Sequence, residues 1–478
     1  MKRSYTRFVC KGGVFLFCLF CSYPATLLAG NPIKKYLENP IPNRWTNDSL
    51  FVQQLPVEDK WWTGFEDPAL DSLMRAGMQN NSNVLIAAQR IIAAKAQMKS
   101  AYGGLFPTIG LNAGWSRQRT SQSIDPLLSD PFSSGFSTAL SMSWELDIFG
   151  NIWQKARAEG ALYKASKAEY YGVMVSLASN LATAYFNLRT YQELLQVTET
   201  NIKSQAEVLK ITEVRYNTGL ASQLDVAQAK SIYYSTKSSL NPIIASIDNT
   251  INSIAVLLGV YPDEIRDQLM NPKQLPNPYQ LIPVSLPAGL LTQRPDLISS
   301  LKQVQAQAAM LGAARADWFP KFLLNGSFGF SAPKLDHLFE KKSQAWQISP
   351  AMQWTVFSGG QRREAYIAQR AALDEAIITF NQNVLTAYQE VENAMSNYKN
   401  SMKEMNDLVS VVNQGKITLS LSLELYKEGL SQFQDVLSAQ QSLLSYEESL
   451  VKARGGSLLY LVQLYQSLGG GWDESKLK

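Results

Sequence analysis

Two stretches of the 478-residue chain decide its fold: RYNTGLASQLDVAQAK at 215–230 and LYKEGLSQFQDVLSAQ at 425–440. Tyr216, Gly219, Leu220, Asp225, Val226 and Ala229 recur as Tyr426, Gly429, Leu430, Asp435, Val436 and Ala439, every pair 210 positions apart. The same offset relates Trp144 and Gly150 to Trp354 and Gly360, and an offset of 213 relates Phe106-Pro107 to Phe319-Pro320. An ordered series of matches at one spacing marks a duplicated structural unit. Within it, the glycine reads as a helix C-cap that needs positive φ. Ser222 with Asp225, and Ser431 with Gln434, read as capping boxes that open a returning helix. Each copy is therefore read as the tip of a helical hairpin.

Upstream of each tip, residues 151–218 and 361–428 contain no proline, 68 residues in each case. A continuous helix of that length reaches about 100 Å. In the second stretch Val384, Tyr388, Val391, Met395, Tyr398, Met402, Met405, Val409 and Val412 keep a strict 4,3 spacing. The corresponding register in the first reads Met174, Ala178, Leu181, Tyr185, Leu188, Gln192, Leu195, Glu199 and Ile202. A 3.5-residue repeat predicts left-handed coiled-coil packing. Returning helices are predicted over 222–258 and 431–468, and shorter helices over 67–102 and 287–318.

Between the short and long helices lie four segments of alternating character. TIGLNAGWSRQ at 108–118 sets Ile109, Leu111, Ala113 and Trp115 against Thr108, Asn112, Ser116 and Gln118. TALSMSWELDI at 138–148 sets Leu140, Met142, Trp144, Leu146 and Ile148 against Ser141, Ser143, Glu145 and Asp147. In the second half Phe322, Leu324, Phe328 and Phe330 alternate with Lys321, Asn325, Ser327 and Ser331; Trp346, Ile348, Met352, Trp354 and Val356 alternate with Gln347, Ser349, Gln353 and Thr355. This is the period and length of barrel strands with one lipid-facing side, on which Leu140, Met142, Trp144, Trp346, Met352 and Trp354 are placed. An ordinary antiparallel sheet over a soluble core would alternate in the same way. Tryptophans near the strand ends and the absence of a second sheet oppose that reading. Four strands cannot close a spanning barrel, so the barrel must be shared between chains.

Charge and composition limit the function. Lys2, Arg3, Arg7 and Lys11 account for the whole formal charge of +4: of 44 basic residues 40 remain after residue 29, against 40 acidic ones. Bulk positive charge for nucleic acid is thus absent. Cys10, Cys18 and Cys21 are the only cysteines and His337 the only histidine. Neither a disulfide framework beyond residue 29 nor a His-based metal site or triad can be assembled. No cofactor, metal or catalytic residue is expected, and His337 reads as a loop residue. Residues 1–29, with a basic start and an apolar run too short to span a bilayer, read as an export signal. Cleavage after Ala29 would put Leu27 third from the cut, a poor fit, and Cys18 and Cys21 each follow phenylalanine where a lipidated cysteine follows a small residue. No later segment is long and apolar enough for a spanning helix.

These residues reach a family resemblance. The chain resembles the TolC-like outer-membrane factors over nearly its whole mature length, and is most similar to the OprM/NodT-like subgroup that serves resistance-nodulation-division (RND) efflux pumps. The resemblance rests on Trp61-Trp62 with Phe65, Asp67-Pro68 and Leu70; WELDIFG at 144–150; the tip at 215–229; LPAGLLTQRPDL at 286–297; ARADWFP ending at Pro320; and Phe357 with Gly359-Gly360. It implies an α+β membrane protein in which a homotrimer shares a twelve-stranded barrel continued by a coiled-coil periplasmic barrel. It also implies outer-membrane lipids around the barrel, a periplasmic adaptor (membrane fusion) protein, and an inner-membrane RND-type pump. The segments become 1–29 (signal), 30–66 (N-terminal equatorial), 67–258 (first repeat), 259–286 (equatorial linker), 287–468 (second repeat) and 469–478 (tail). Carried over by position, Arg215, Tyr216, Gly219, Tyr426 and Gly429 would meet the adaptor, and Asp225 and Asp435 would lie at the periplasmic aperture. Capping is the competing role for Asp225. Asp435 lies one position past the expected capping slot, and Ser438 takes the place of a second acidic ring. The expected function is the passive outer-membrane exit duct of a tripartite efflux system. A type I protein secretion duct is the alternative within the fold, and a channel-free coiled-coil surface protein the alternative outside it.

Overall fold

The computed structural model describes residues 36–37, 40–46, 51–53, 60–121, 123, 130–272, 274–276, 282–284 and 287–470. The chain divides into two compact units, 1–37 and 38–478. Only Tyr36 and Leu37 of the first are described, and all the elements belong to the second. The export signal expected over 1–29 and most of the tail expected over 469–478 lie outside the described residues.

In chain order the elements are β1 (Phe51–Gln53), α1 (Pro68–Asn80), α2 (Ser82–Gly103), β2 (Thr108–Arg119), β3 (Phe132–Leu146), α3 (Asn151–Asn217), α4 (Gln223–Ser238), α5 (Leu240–Leu258) and α6 (Pro262–Met270). There follow β4 (Ile282–Val284), α7 (Leu290–Gln293), α8 (Pro295–Ala316), β5 (Lys321–Ala332), β6 (Gln344–Gln353), α9 (Gln361–Lys427) and α10 (Phe433–Ser467). Among the described residues no helix is long and apolar enough to cross a membrane.

Both proline-free stretches form single helices of 67 residues. Near the strands α3 packs against α2, where Tyr102 meets Trp153 edge-on, and against α8, where Ala158 lies with Ala306 and Ala309, and Ala168 with Ile298. Toward the tip it packs against α4, α5 and α10. The short and returning helices depart from prediction at three breaks. The helix predicted over 67–102 divides at Asn81, whose side-chain oxygen accepts from the N–H groups of Asn83 (2.9 Å) and Val84 (3.2 Å) while its amide donates to the Leu257 carbonyl (2.8 Å). The one predicted over 287–318 divides at Arg294, with Pro295 opening α8. The return predicted over 222–258 breaks at Ser239, since Pro242 has no N–H for the Ser238 carbonyl and its ring crowds that turn.

The coiled-coil register also differs. In α9, Val391, Met395, Tyr398 and Val412 are buried as predicted, but Val409 is exposed. In α3 the register holds as far as Gln192 and then shifts by one residue: Leu194, Thr198, Asn201, Gln205, Val208 and Thr212 are buried, while Glu199 is exposed. Thr198 and Thr212 bury their hydroxyls by donating to the carbonyls of Leu194 and Val208, both at 2.8 Å. Asn201 donates to Glu447 (2.7 Å) and Arg454 to Glu193 (2.6 Å) across to α10. A satisfied polar group can occupy a seam position that apolarity alone would not select.

The four long strands form one antiparallel sheet of order β2-β3-β5-β6, and β1 pairs with β4 in a separate parallel ribbon. β3 begins six residues before its predicted start and ends at Leu146; β6 ends at Gln353, so Ile148, Trp354 and Val356 lie past the strands. Just past β6, the Trp354 indole N–H donates to the Trp318 carbonyl (3.2 Å) where α8 passes into β5. Its counterpart Trp144 donates to the Leu105 carbonyl (2.9 Å) where α2 passes into β2. Each tryptophan fastens a strand end to the helix junction beside it. Trp144→Phe is expected to lower stability by about 1 kcal/mol, read as a fall of a few degrees in the thermal unfolding midpoint.

Candidate functional site: a two-faced sheet and paired helical tips

The register fixes the two faces of the sheet, because residues paired across strands point to the same side. One row joins Ile109, Met142, Gly326 and Ile348; a second joins Leu111, Leu140, Phe328 and Trp346; a third joins Trp144, Leu324 and Pro350. The opposite face carries Thr108, Ser143, Asn325 and Ser349 in one row and Gly110, Ser141, Ser327 and Gln347 in the next. Within that polar face the Glu145 carboxylate meets Lys321 at 3.4 Å, at the end nearest the helices. Leu140, Met142, Trp346 and Met352 thus share the apolar side with Trp144, and Trp354 follows beyond the strand. Among the described residues neither edge strand, β2 or β6, has a second partner strand.

Where the long helices end, the two tips are built alike and bound together. Gly219 and Gly429 adopt φ of 76° and 73°. The N–H of Leu220 reaches the Arg215 carbonyl and that of Leu430 the Leu425 carbonyl, both at 2.8 Å, closing a left-handed C-cap in each. After the first, Ser222 and Asp225 form the expected capping box: Ser222 Oγ accepts from Asp225 N (3.1 Å) and the Asp225 carboxylate from Ser222 N (2.9 Å). The second box is absent. Its N-cap is Gln432, without a side-chain cap, and Ser431 Oγ finds no partner among the described residues. That shift puts Asp435 three residues past its N-cap, the position Asp225 holds past Ser222, rather than one beyond it. Nothing among the described residues engages the Asp435 carboxylate, which lines a groove of about 790 Å³ between α9 and α10 with Gln414, Thr418, Ser422 and Ser438.

Arg215 joins the tips. Its guanidinium donates to the Lys427 carbonyl (2.8 Å) and lies over the Tyr426 ring, 4.7 Å from its centroid. Tyr426 is only 4% exposed and packs with Phe433, Val208, Ile232 and Val436. The structure therefore places Tyr426 inside the tip and Arg215 across it, while Tyr216, Gly219 and Gly429 stand at the surface. At the apex Leu220 and Leu430 are 66% and 74% exposed. The sequence reading does not count them as contact residues, although their duplication carried the signal.

Midway along α3 a buried knot ties this helix to the start of α1 and to the residue that follows α6. Tyr185 donates to Asp67, which also caps α1 through the Ala69 N–H (2.9 Å). Burial, then the Asp67 hydrogen bond, pushes the Tyr185 phenol well above its usual range, so it stays a donor. Arg189, 1% exposed, stacks on the Tyr185 ring and donates to Gln192 (2.7 Å) and the Asn271 carbonyl (2.8 Å). In the RPD motif, Arg294 binds Asp296 (2.7 Å), Glu390 of α9 (2.7 Å) and the Ser467 carbonyl at the end of α10 (2.9 Å). His337 bonds Glu340 (2.5 Å) in the exposed β5–β6 loop.

The profile of the family described as "Outer membrane efflux protein" matches residues 73–260 and 286–470. The chain is 31% identical over 415 residues to the solvent efflux pump outer membrane protein SrpC of Pseudomonas putida, covering 86% of this chain and 87% of SrpC. It is 26% identical over 439 residues to outer membrane protein OprJ of Pseudomonas aeruginosa, covering 91% of each. Among solved structures the outer-membrane channel OprN superposes with a TM-score of 0.86 at 29% identity, over 91% of this chain and 98% of that one.

Proposed function

The chain belongs to the outer membrane efflux protein family, and on that premise we propose that three copies form the passive exit duct of a tripartite efflux system. Its location is the outer membrane, with the helices reaching into the periplasm. The observation that carries the reading is a four-stranded sheet, apolar on one face and polar on the other, joined to 67-residue helices about 100 Å long. An open sheet edge cannot face hydrocarbon, so β2 and β6 need neighbouring copies. Three copies supply twelve strands, enclosing a lumen lined by the serine, asparagine and glutamine face.

In this reading the tips open toward a periplasmic adaptor, which would be met by Tyr216, Leu220 and Leu430 around Gly219 and Gly429. Arg215 and Tyr426 hold that surface in shape from within. An inner-membrane pump of the RND type would supply the cargo. Relatives named for solvent and antibiotic efflux suggest small apolar or amphipathic organic compounds. Conduction needs no catalytic step. Asp225 serves as a cap, whereas three Asp435 carboxylates around the axis would form an acidic constriction.

Detergent-purified protein in planar bilayers tests the duct. A trimeric mass with stepwise conductance is expected, and a non-conducting monomer would overturn the reading. Asp435→Ala is expected to raise the closed-state conductance and reduce cation preference in the reversal potential; no change in either would remove Asp435 from the constriction.

A further inference from the structure

Both long helices, and the helices before them, join the sheet at one end of its strands. The hairpin ends, where Arg119 pairs with Phe132 and Phe330 with Gln344, form the outer end. There the apolar face changes character. β2 continues past Trp115 with Arg117 and Arg119 in the same alternation, opposite Ser134 and Phe132. At about 3.4 Å per residue Arg117 stands about 7 Å beyond Trp115. Both guanidinium groups lie over the Phe132 ring, 5.4 and 5.6 Å from its centroid. Among the described residues neither meets a carboxylate. On the neighbouring hairpin Phe339, 73% exposed, packs on Phe330 at 5.6 Å.

We propose that Arg117 and Arg119 form a binding site for the phosphate of an outer-leaflet lipid headgroup. The proposal rests on the reading of the apolar face as lipid-exposed. Residues just beyond an aromatic girdle on that side sit at headgroup depth, where the anions are lipid phosphates. A guanidinium is planar, weakly hydrated and matched to phosphate through paired N–H donors. Two guanidinium groups held over one ring are partly ordered before the ligand arrives, so less side-chain entropy is lost on binding. A phosphomonoester-bearing glycolipid, whose phosphates project at that depth, fits this pair.

The test uses full-length protein in phosphatidylcholine vesicles with or without bisphosphorylated lipid A, with retained lipid counted by native mass spectrometry and thermal midpoints recorded. Wild type is expected to retain lipid A about tenfold more than R117Q/R119Q, and R117K/R119K to fall between them. The preference should vanish with dephosphorylated lipid A and weaken in 1 M salt. Equal retention by wild type and R117Q/R119Q, both conducting, overturns the lipid site alone. An equal thermal shift from inorganic phosphate would show a free-anion site and also overturn it. Wild-type protein that gives neither trimer nor conductance would instead overturn the membrane reading beneath it.

Discussion

Ile348→Arg is expected to remove the protein from the outer membrane, whereas Ser349→Arg, one residue further along β6, is expected to leave it assembled. Ile348, 68% exposed in the single chain, pairs with Gly326 in the row that continues to Met142 and Ile109. An arginine on the lipid side of a barrel near the bilayer midplane costs about 2–4 kcal/mol, and the proposed trimer would meet that cost three times. Ser349 pairs with Asn325 in the row of Ser143 and Thr108. A cation there would face water, narrow the lumen and shift selectivity toward anions. The heat-resistant oligomer on unheated gels of outer-membrane fractions reads the first effect, and single-channel reversal potentials read the second. Normal assembly of Ile348→Arg with loss of Ser349→Arg would show the faces to be reversed.

That pair of neighbours also shows why the sheet was legible in the sequence. Period-2 patterning assigns every residue of a strand to a face at once, and the opposition of Ile348 to Ser349 needs no knowledge of what lies beside them. The long helices were legible for a comparable reason, since the lack of proline over 68 positions and a glycine at each end bound them from sequence alone. What escaped depends on groups distant in the chain. Asn81 ends a helix because its amide finds the Leu257 carbonyl 176 positions away. The α3 seam shifts because Asn201 finds Glu447 and Arg454 finds Glu193, while Thr198 and Thr212 satisfy their own hydroxyls within the helix. A reading that equates seams with apolar residues follows Leu195 and Ile202 instead.

At the tips the same limit has functional weight. Both duplicated tyrosines look alike in sequence, yet Tyr216 is exposed and Tyr426 is buried. Sequence identity within a repeat does not preserve environment: the second tip receives Arg215 from the first, whereas Leu425 stands at the position 210 residues after Arg215. The capping boxes diverge likewise: Asp225 is held by Ser222, while Asp435 is released toward the groove.

The asymmetry yields the prediction with the most direct bearing on gating. Arg215→Ala is expected to raise the resting open fraction of the duct. Its bond to the Lys427 carbonyl is charge-assisted, worth about 1.5–3 kcal/mol when well shielded, and its stacking on Tyr426 adds about 0.5–1 kcal/mol at an exposed site. Arg215 is only partly buried, so about 1–2 kcal/mol per chain is a fair expectation, close to a tenfold shift in the tip equilibrium. Tyr426→Phe should leave the bond and the packing in place and change little, since the Tyr426 hydroxyl has no hydrogen-bond partner among the described residues. The readouts separate this link from the proposed acidic constriction at Asp435. Loss of the Arg215 link should lengthen open dwell times without altering the reversal potential, while loss of the Asp435 charge should alter the reversal potential first. Identical dwell times in Arg215→Ala and wild type would mean that the tips are held shut by contacts between copies rather than within each.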